Sequence, residues 1–98
     1  MTLFDSILNI ACSVTRCSTR QALSRDRQQK CVFARYIFFA LATESGSRGY
    51  AAMWYLQRDR SLSYYYKTQA ENLSLYHKEF NSLLTKARKK YAELDKPI

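Results

Sequence analysis

The stretch QQKCVFARYIFFALATE, residues 28 to 44, leaves this chain little choice of architecture. Val32, Tyr36, Phe39 and Ala40 recur at helical spacing, and Phe33, Ile37 and Leu41 widen the apolar surface well beyond one stripe. A helix that is apolar over so much of its girth must be covered by other elements, so this one is predicted to be the central helix of a domain. Two glycines and one proline among 98 residues, with 47% apolar residues, favour long helices over disorder. The length suits one modest core, and no segment alternates at the period of a strand.

The neighbouring segments fall into place around it. LFDSILNIA, residues 3 to 11, puts Leu3, Ile7, Ile10 and Ala11 on one stripe and reads as a first helix. Residues 15 to 18 break the pattern, and Ser18 is a candidate N-cap for a short helix TRQAL. LSRDR, residues 23 to 27, reads as a basic loop. ESGSRG, residues 44 to 49, holds both glycines and ends the long helix, after which Ser47 is placed to cap YAAMWYL, residues 50 to 56. Gln57 and Arg58 form a tight turn, and Asp59 is a natural N-cap for a helix through Lys67 or slightly beyond. A break at residues 72 to 74 then precedes a last helix carrying Leu75, Phe80, Leu83, Leu84 and Ala87 inward, with a frayed tail at about 94 to 98. The expectation is an all-α fold of about six helices, one domain over residues 1 to 98.

Charge is distributed unevenly. The net charge is +8, and residues 16 to 67 hold ten basic side chains against Asp26, Glu44 and Asp59. Such a field attracts polyanions, and arginine, the commoner base here, suits planar contact with phosphate or guanine. Cys12, Cys17 and Cys31 fit no zinc spacing with His77 as the sole imidazole, so they read as free thiols of a reducing cytoplasm. Neither a signal peptide nor a membrane span is expected, because no basic region precedes an apolar stretch at the N-terminus and the run from Val32 to Ala42 is short and interrupted by Arg35. No convergent nucleophile, base and acid set is visible, so no enzyme, metal, cofactor or small-molecule substrate is expected.

The middle of the chain gives a long helix, a loop, a short helix, a turn and a second short helix with a polar start. That order is a helix-turn-helix, over about residues 48 to 68, whose second helix enters a DNA major groove N-terminus first. Within it lies QRDRSLSYYYK, residues 57 to 67. Its three tyrosines spread over about 200° of helix circumference, so one is expected inside, one at the edge and one outside. Trp54 is expected in the core, His77 at the surface or in helix packing, and KARKK, residues 86 to 90, in a solvated last turn.

Three blocks resemble the C-terminal DNA-binding domain of the bacterial replication initiator DnaA. Leu23-Ser24-Arg25-Asp26-Arg27 is similar to the family's loop L-S-K-S-R, and Val32-Phe33-Ala34-Arg35-Tyr36-Ile37 with Leu41 to its helix V-x-A-R-x-I-x-x-x-L. Arg58-Asp59-Arg60-Ser61 stands where R-D-H-S opens the recognition helix. The resemblance implies that Arg27 enters the minor groove with Arg25 beside it, and that Arg35 touches the DNA backbone. It also implies that Arg58, Asp59, Arg60 and Ser61 meet bases and phosphates, with Tyr65 later on the same face. Ser47 and the helix after it would hold a further phosphate.

This chain departs from the family pattern at Arg60, Leu62 and Ser63, and YAAMWYL lacks the glycine usual in the motif's first helix. A slip of one residue, with Leu62 turned inward, would resolve the difference and take Tyr65 off the DNA face. With no P-loop and no length for an ATPase, the resemblance is to the DNA-binding domain alone. The implied function is duplex DNA binding, sequence-specific in the family, in an accessory replication or transcription regulator of bacterial or phage type. The alternatives are a protein-interaction module that binds a replication initiator or its regulator, and an RNA binder using exposed tyrosines.

Overall fold

The computed structural model describes residues 3–94. The frayed tail expected at 94 to 98 therefore lies, apart from Leu94, outside the described residues. Among them are six α-helices and no strand: α1 (Leu3–Thr15), α2 (Thr19–Leu23), α3 (Gln29–Glu44), α4 (Gly49–Tyr55), α5 (Ser63–Tyr76) and α6 (Lys78–Leu94), with a 3₁₀ turn, Arg60–Leu62, ahead of α5. The chain is all-α, and no described helix is long and apolar enough to cross a membrane.

α3 is the axis. Ten of its sixteen residues are buried, and they face every direction around the helix. α1 covers one side with Ile7, Leu8, Ile10 and Ala11, and α6 closes another with Phe80, Leu84 and Ala87. Edge-to-face rings lock these contacts, with Phe33 on Phe80 at 5.1 Å and Phe38 on Phe4 at 5.6 Å between centroids. α4 turns Ala52, Met53 and Leu56 inward, and Tyr55 stacks on Phe38 at 5.3 Å while its hydroxyl donates to the Asp5 carboxylate. With those side chains filling the inner face, Trp54 points outward and is 79% exposed, contrary to the core position expected for it.

Three helices end in the same way. Arg16 after α1, Gly46 after α3 and Gln57 near the end of α4 have φ of 61°, 101° and 61°. In each case the following N–H reaches back into the helix: Cys17 to the Cys12 carbonyl, Ser47 to Ala42 and Arg58 to Met53, at 3.1, 3.1 and 2.9 Å. Only one of the three turns uses glycine, so the other two hold an L side chain in left-handed backbone.

The second half of the chain differs from expectation in register. α5 continues through residues 72 to 74 and stops at His77, which is extended at φ −119° and ψ 105°. Ser74 Oγ donates to the Glu71 carbonyl and so leaves the helix unbroken. Leu75, expected inward at the start of the last helix, is 73% exposed at the end of α5. His77 makes the corner: its Nδ1 accepts from the Phe80 N–H at 3.2 Å and its ring packs edge-on to Phe33. The KARKK turn is pinned to the body, because Arg88 pairs with Glu44 at 2.8 Å and Lys90 Nζ donates to Ser13 Oγ at 3.1 Å.

Candidate nucleic-acid interface

The basic loop between α2 and α3 is built by side chains that bond to nearby backbone. Ser18 caps α2 in a reciprocal box with Gln21, which fixes where that single turn begins. Ser24 Oγ then donates to the Gln21 carbonyl at 2.7 Å and accepts from the Asp26 N–H at 3.1 Å. Asp26 Oδ1 in turn accepts from the Gln28 N–H at 2.9 Å. These successive bonds hold five residues of irregular chain in one shape. Arg25 and Arg27 project from it into solvent, and neither makes an ion pair among the described residues. The intervening aspartate is occupied with the backbone.

Two arginines from elsewhere in the chain brace this loop. Arg35, buried in α3, donates through Nε to the Ala22 carbonyl at 2.7 Å and through Nη2 to the carbonyls of Gln21 and Ser24 at 3.2 and 2.8 Å. Arg58, just past α4, donates to the same Ser24 carbonyl at 2.6 Å and to Leu56 at 3.1 Å. The planar guanidinium suits such a task, since one group satisfies several carbonyls at once. Arg35 is only 6% exposed. Its donors are spent on carbonyls of the protein, where the resemblance implied contact with the DNA backbone. Arg58 is half-buried and shares that bracing role.

The same brace places the 3₁₀ turn ahead of α5 beside the loop. Asp59 accepts the Ser61 N–H at 2.9 Å and starts the 3₁₀ turn Arg60–Leu62, which runs directly into α5. That backbone bond, with Arg60 nearby, holds the Asp59 carboxyl below the usual carboxylate range. Asp59, Arg60 and Ser61 are all exposed. Five of the expected site residues, Arg25, Arg27, Asp59, Arg60 and Ser61, therefore share one surface, joined underneath through Ser24.

Ser47 and Tyr65 are placed differently. Ser47 closes the end of α3 with its N–H, and Arg48 takes the position before α4 without a side-chain cap bond. The expected Ser47 cap is absent because the glycine turn runs one residue longer than the spacing suggested. Tyr65 neighbours Tyr36, whose phenol is pushed well above its ordinary range by burial and by the nearby Tyr65 hydroxyl. Tyr66 is buried against Tyr36 and Phe39, while Tyr64 is 77% exposed in the first turn of α5. The triplet divides as inside, edge and outside, but Tyr64 is the outward member.

Gly49 explains how α4 and α5 approach each other. A Cβ there would meet Ser63 Cβ at 3.1 Å and the Phe39 ring at 3.5 Å. α4 thus starts with a glycine, one residue ahead of YAAMWYL, with a small serine opposite. Leu62 stays 37% exposed, and the inward anchor is Tyr66. Two further exposed aromatics, Tyr50 at 55% and Trp54 at 79%, lie one turn apart on the outer side of α4. No family model, curated protein or solved structure matches the chain.

Proposed function

We propose that this chain binds double-stranded DNA as a single-domain helix-turn-helix protein of the DnaA C-terminal-domain type, and acts in the cytoplasm as an accessory regulator of replication or transcription. The 3₁₀ turn and first turn of α5 enter the major groove with Arg60, Ser61 and Tyr64 foremost. Arg27 and Arg25 approach the neighbouring minor groove, where a narrow A·T-rich stretch concentrates negative potential. Asp59 both caps the turn and offers an acceptor to a cytosine amino group.

One observation carries this reading. The Ser24 carbonyl receives both Arg35 and Arg58, so two exposed basic segments far apart in sequence are locked side by side. A solvated basic face needs no such brace, whereas two groove-reading elements need a fixed separation.

The test is a fluorescence-anisotropy titration with two duplexes, one carrying an initiator-type box and one scrambled, at several salt concentrations. A preference for the box of about 4 kcal/mol or more establishes base readout. Equal binding that fades steeply with salt establishes backbone binding alone. Arg27→Ala is expected to weaken binding by about 1–3 kcal/mol. Absence of binding to either duplex at low salt overturns the proposal.

The exposed pair Tyr50 and Trp54 favours a second reading, in which the domain docks a replication initiator or its regulator, since large aromatics on a surface mark anchor positions. Trp54 is the chain's sole tryptophan, so its emission reports directly on this face. A blue shift on adding the initiator, with none on adding DNA, assigns the α4 face to a protein.

A further inference from the structure

The chain's three cysteines meet at one point. Cys12 belongs to α1, Cys17 to the link between α1 and α2, and Cys31 to the first turn of α3, and all are buried free thiols. Cys17 Sγ lies 3.5 Å from Cys31 Sγ, and the Cys17 N–H donates to the Cys12 carbonyl at 3.1 Å, so Cys17 is the middle of the group. Cys17 and Cys31 are fourteen positions apart. The segment between them is α2 and the basic loop with Arg25 and Arg27. Cys17 alone lies outside a helix, so its sulfur can swing toward Cys31 without unwinding one. It is 7% exposed while Cys31 is fully covered, so a small oxidant reaches Cys17 first.

We propose that Cys17 and Cys31 form a dithiol–disulfide redox site that takes a small peroxide as its oxidant and staples together the two ends of the segment that holds α2 and the basic loop. The Cys17 sulfur attacks one peroxide oxygen; an S–O bond forms as the O–O bond breaks, leaving a sulfenic acid and one water. The Cys31 sulfur then displaces the hydroxyl, and an S–S bond forms as a second water leaves. Two thiols are oxidised to one disulfide while hydrogen peroxide is reduced to two waters. Burial pushes the Cys17 thiol up to about 12 and the Cys12 thiol up to about 11, so reactive thiolate is scarce at neutral pH. The site consequently answers sustained oxidant exposure and reacts faster as pH rises.

The covalent step stands on the thiols alone, and only its effect on DNA rests on the proposed function. The experiment exposes the folded chain to hydrogen peroxide, then unfolds it, alkylates it and maps it by mass spectrometry. The expected product has lost two hydrogens, links Cys17 to Cys31, leaves Cys12 alkylated and reverts with dithiothreitol. Its melting temperature rises by roughly 10 °C or more, as closing a loop of this length predicts. Cys12→Ala keeps the crosslink, while Cys31→Ala and Cys31→Ser each abolish it. Recovery of all three thiols from the wild-type chain, or a Cys12–Cys17 link in its place, overturns the proposal whether or not the variants fold. If the disulfide forms but neither redox form binds DNA, the redox site stands and the DNA reading fails.

Discussion

α3 and α5 are helices of similar length and opposite character. α3 buries ten of sixteen residues, whereas α5 buries Tyr66 and Ala70 among fourteen. One is surrounded; the other rests on the body at a few points, chiefly through Tyr66 against Tyr36 and Phe39 at 5.1 and 5.9 Å. The contrast separates two duties. α3 supplies the apolar burial that holds the fold, and α5 presents side chains that the fold does not need for its own stability.

The largest expected effect tests that separation directly. Phe38→Ala removes a fully buried ring packed between Phe4 and Tyr55 and should destabilise the protein by about 3–5 kcal/mol in urea unfolding. Tyr64→Ala, on the exposed side of α5, should change stability by no more than about 0.5 kcal/mol. A comparable loss at both positions would break the distinction between the helices.

Arg35 sharpens the comparison from within α3. Replacing it with alanine leaves the Ala22 carbonyl without its donor and takes one donor from those of Gln21 and Ser24, and should cost about 1–3 kcal/mol, with faster amide exchange in residues 24 to 28. Arg35→Lys should recover only part, because an ammonium cannot donate in the same planar fork. Full recovery would mean that charge, rather than the fork, holds the loop.

Gln57→Gly addresses the turn that delivers the chain to α5. Relieving a φ of 61° should stabilise the protein by about 0.5–1 kcal/mol, read as a higher urea midpoint. Asp59 gives the smallest effect, and it depends on pH. Its folded carboxyl titrates below the usual range, so its contribution is present above the unfolded pKa and fades as pH falls through the lowered folded value. Asp59→Asn should flatten that part of the stability–pH curve, and an unchanged acid limb would remove Asp59 from the linkage.

The elements most legible in the sequence were those whose local chemistry agrees with their surroundings. The apolar breadth of α3, the Ser18 cap and the breaks after α1 and α3 follow from spacing and cap residues alone. Trp54 was not legible, because Tyr50, Met53, Trp54 and Tyr55 place apolar groups on every side of a seven-residue helix. Which of them faces inward is decided by α3 and α1. Arg35 carried a usable signal: it lies four residues from Cys31 and from Phe39, both buried, so the sequence already set it among core positions. The end of α5 was missed because Asn72 and Ser74 are weak breakers whose side chains a solvent-facing helix tolerates. That Tyr64 is more exposed than Tyr65 depended on Tyr36, a neighbour of Tyr65 from another helix.

The shared Ser24 carbonyl has a mechanical meaning. With Arg35 and Arg58 drawn to one oxygen, the loop and the 3₁₀ turn ahead of α5 behave as the fixed jaws of a gauge. On the proposed reading, a duplex whose grooves do not match that opening must itself bend or narrow to fit. The protein would then sort sequences partly by how easily they deform, including at base pairs that no side chain touches.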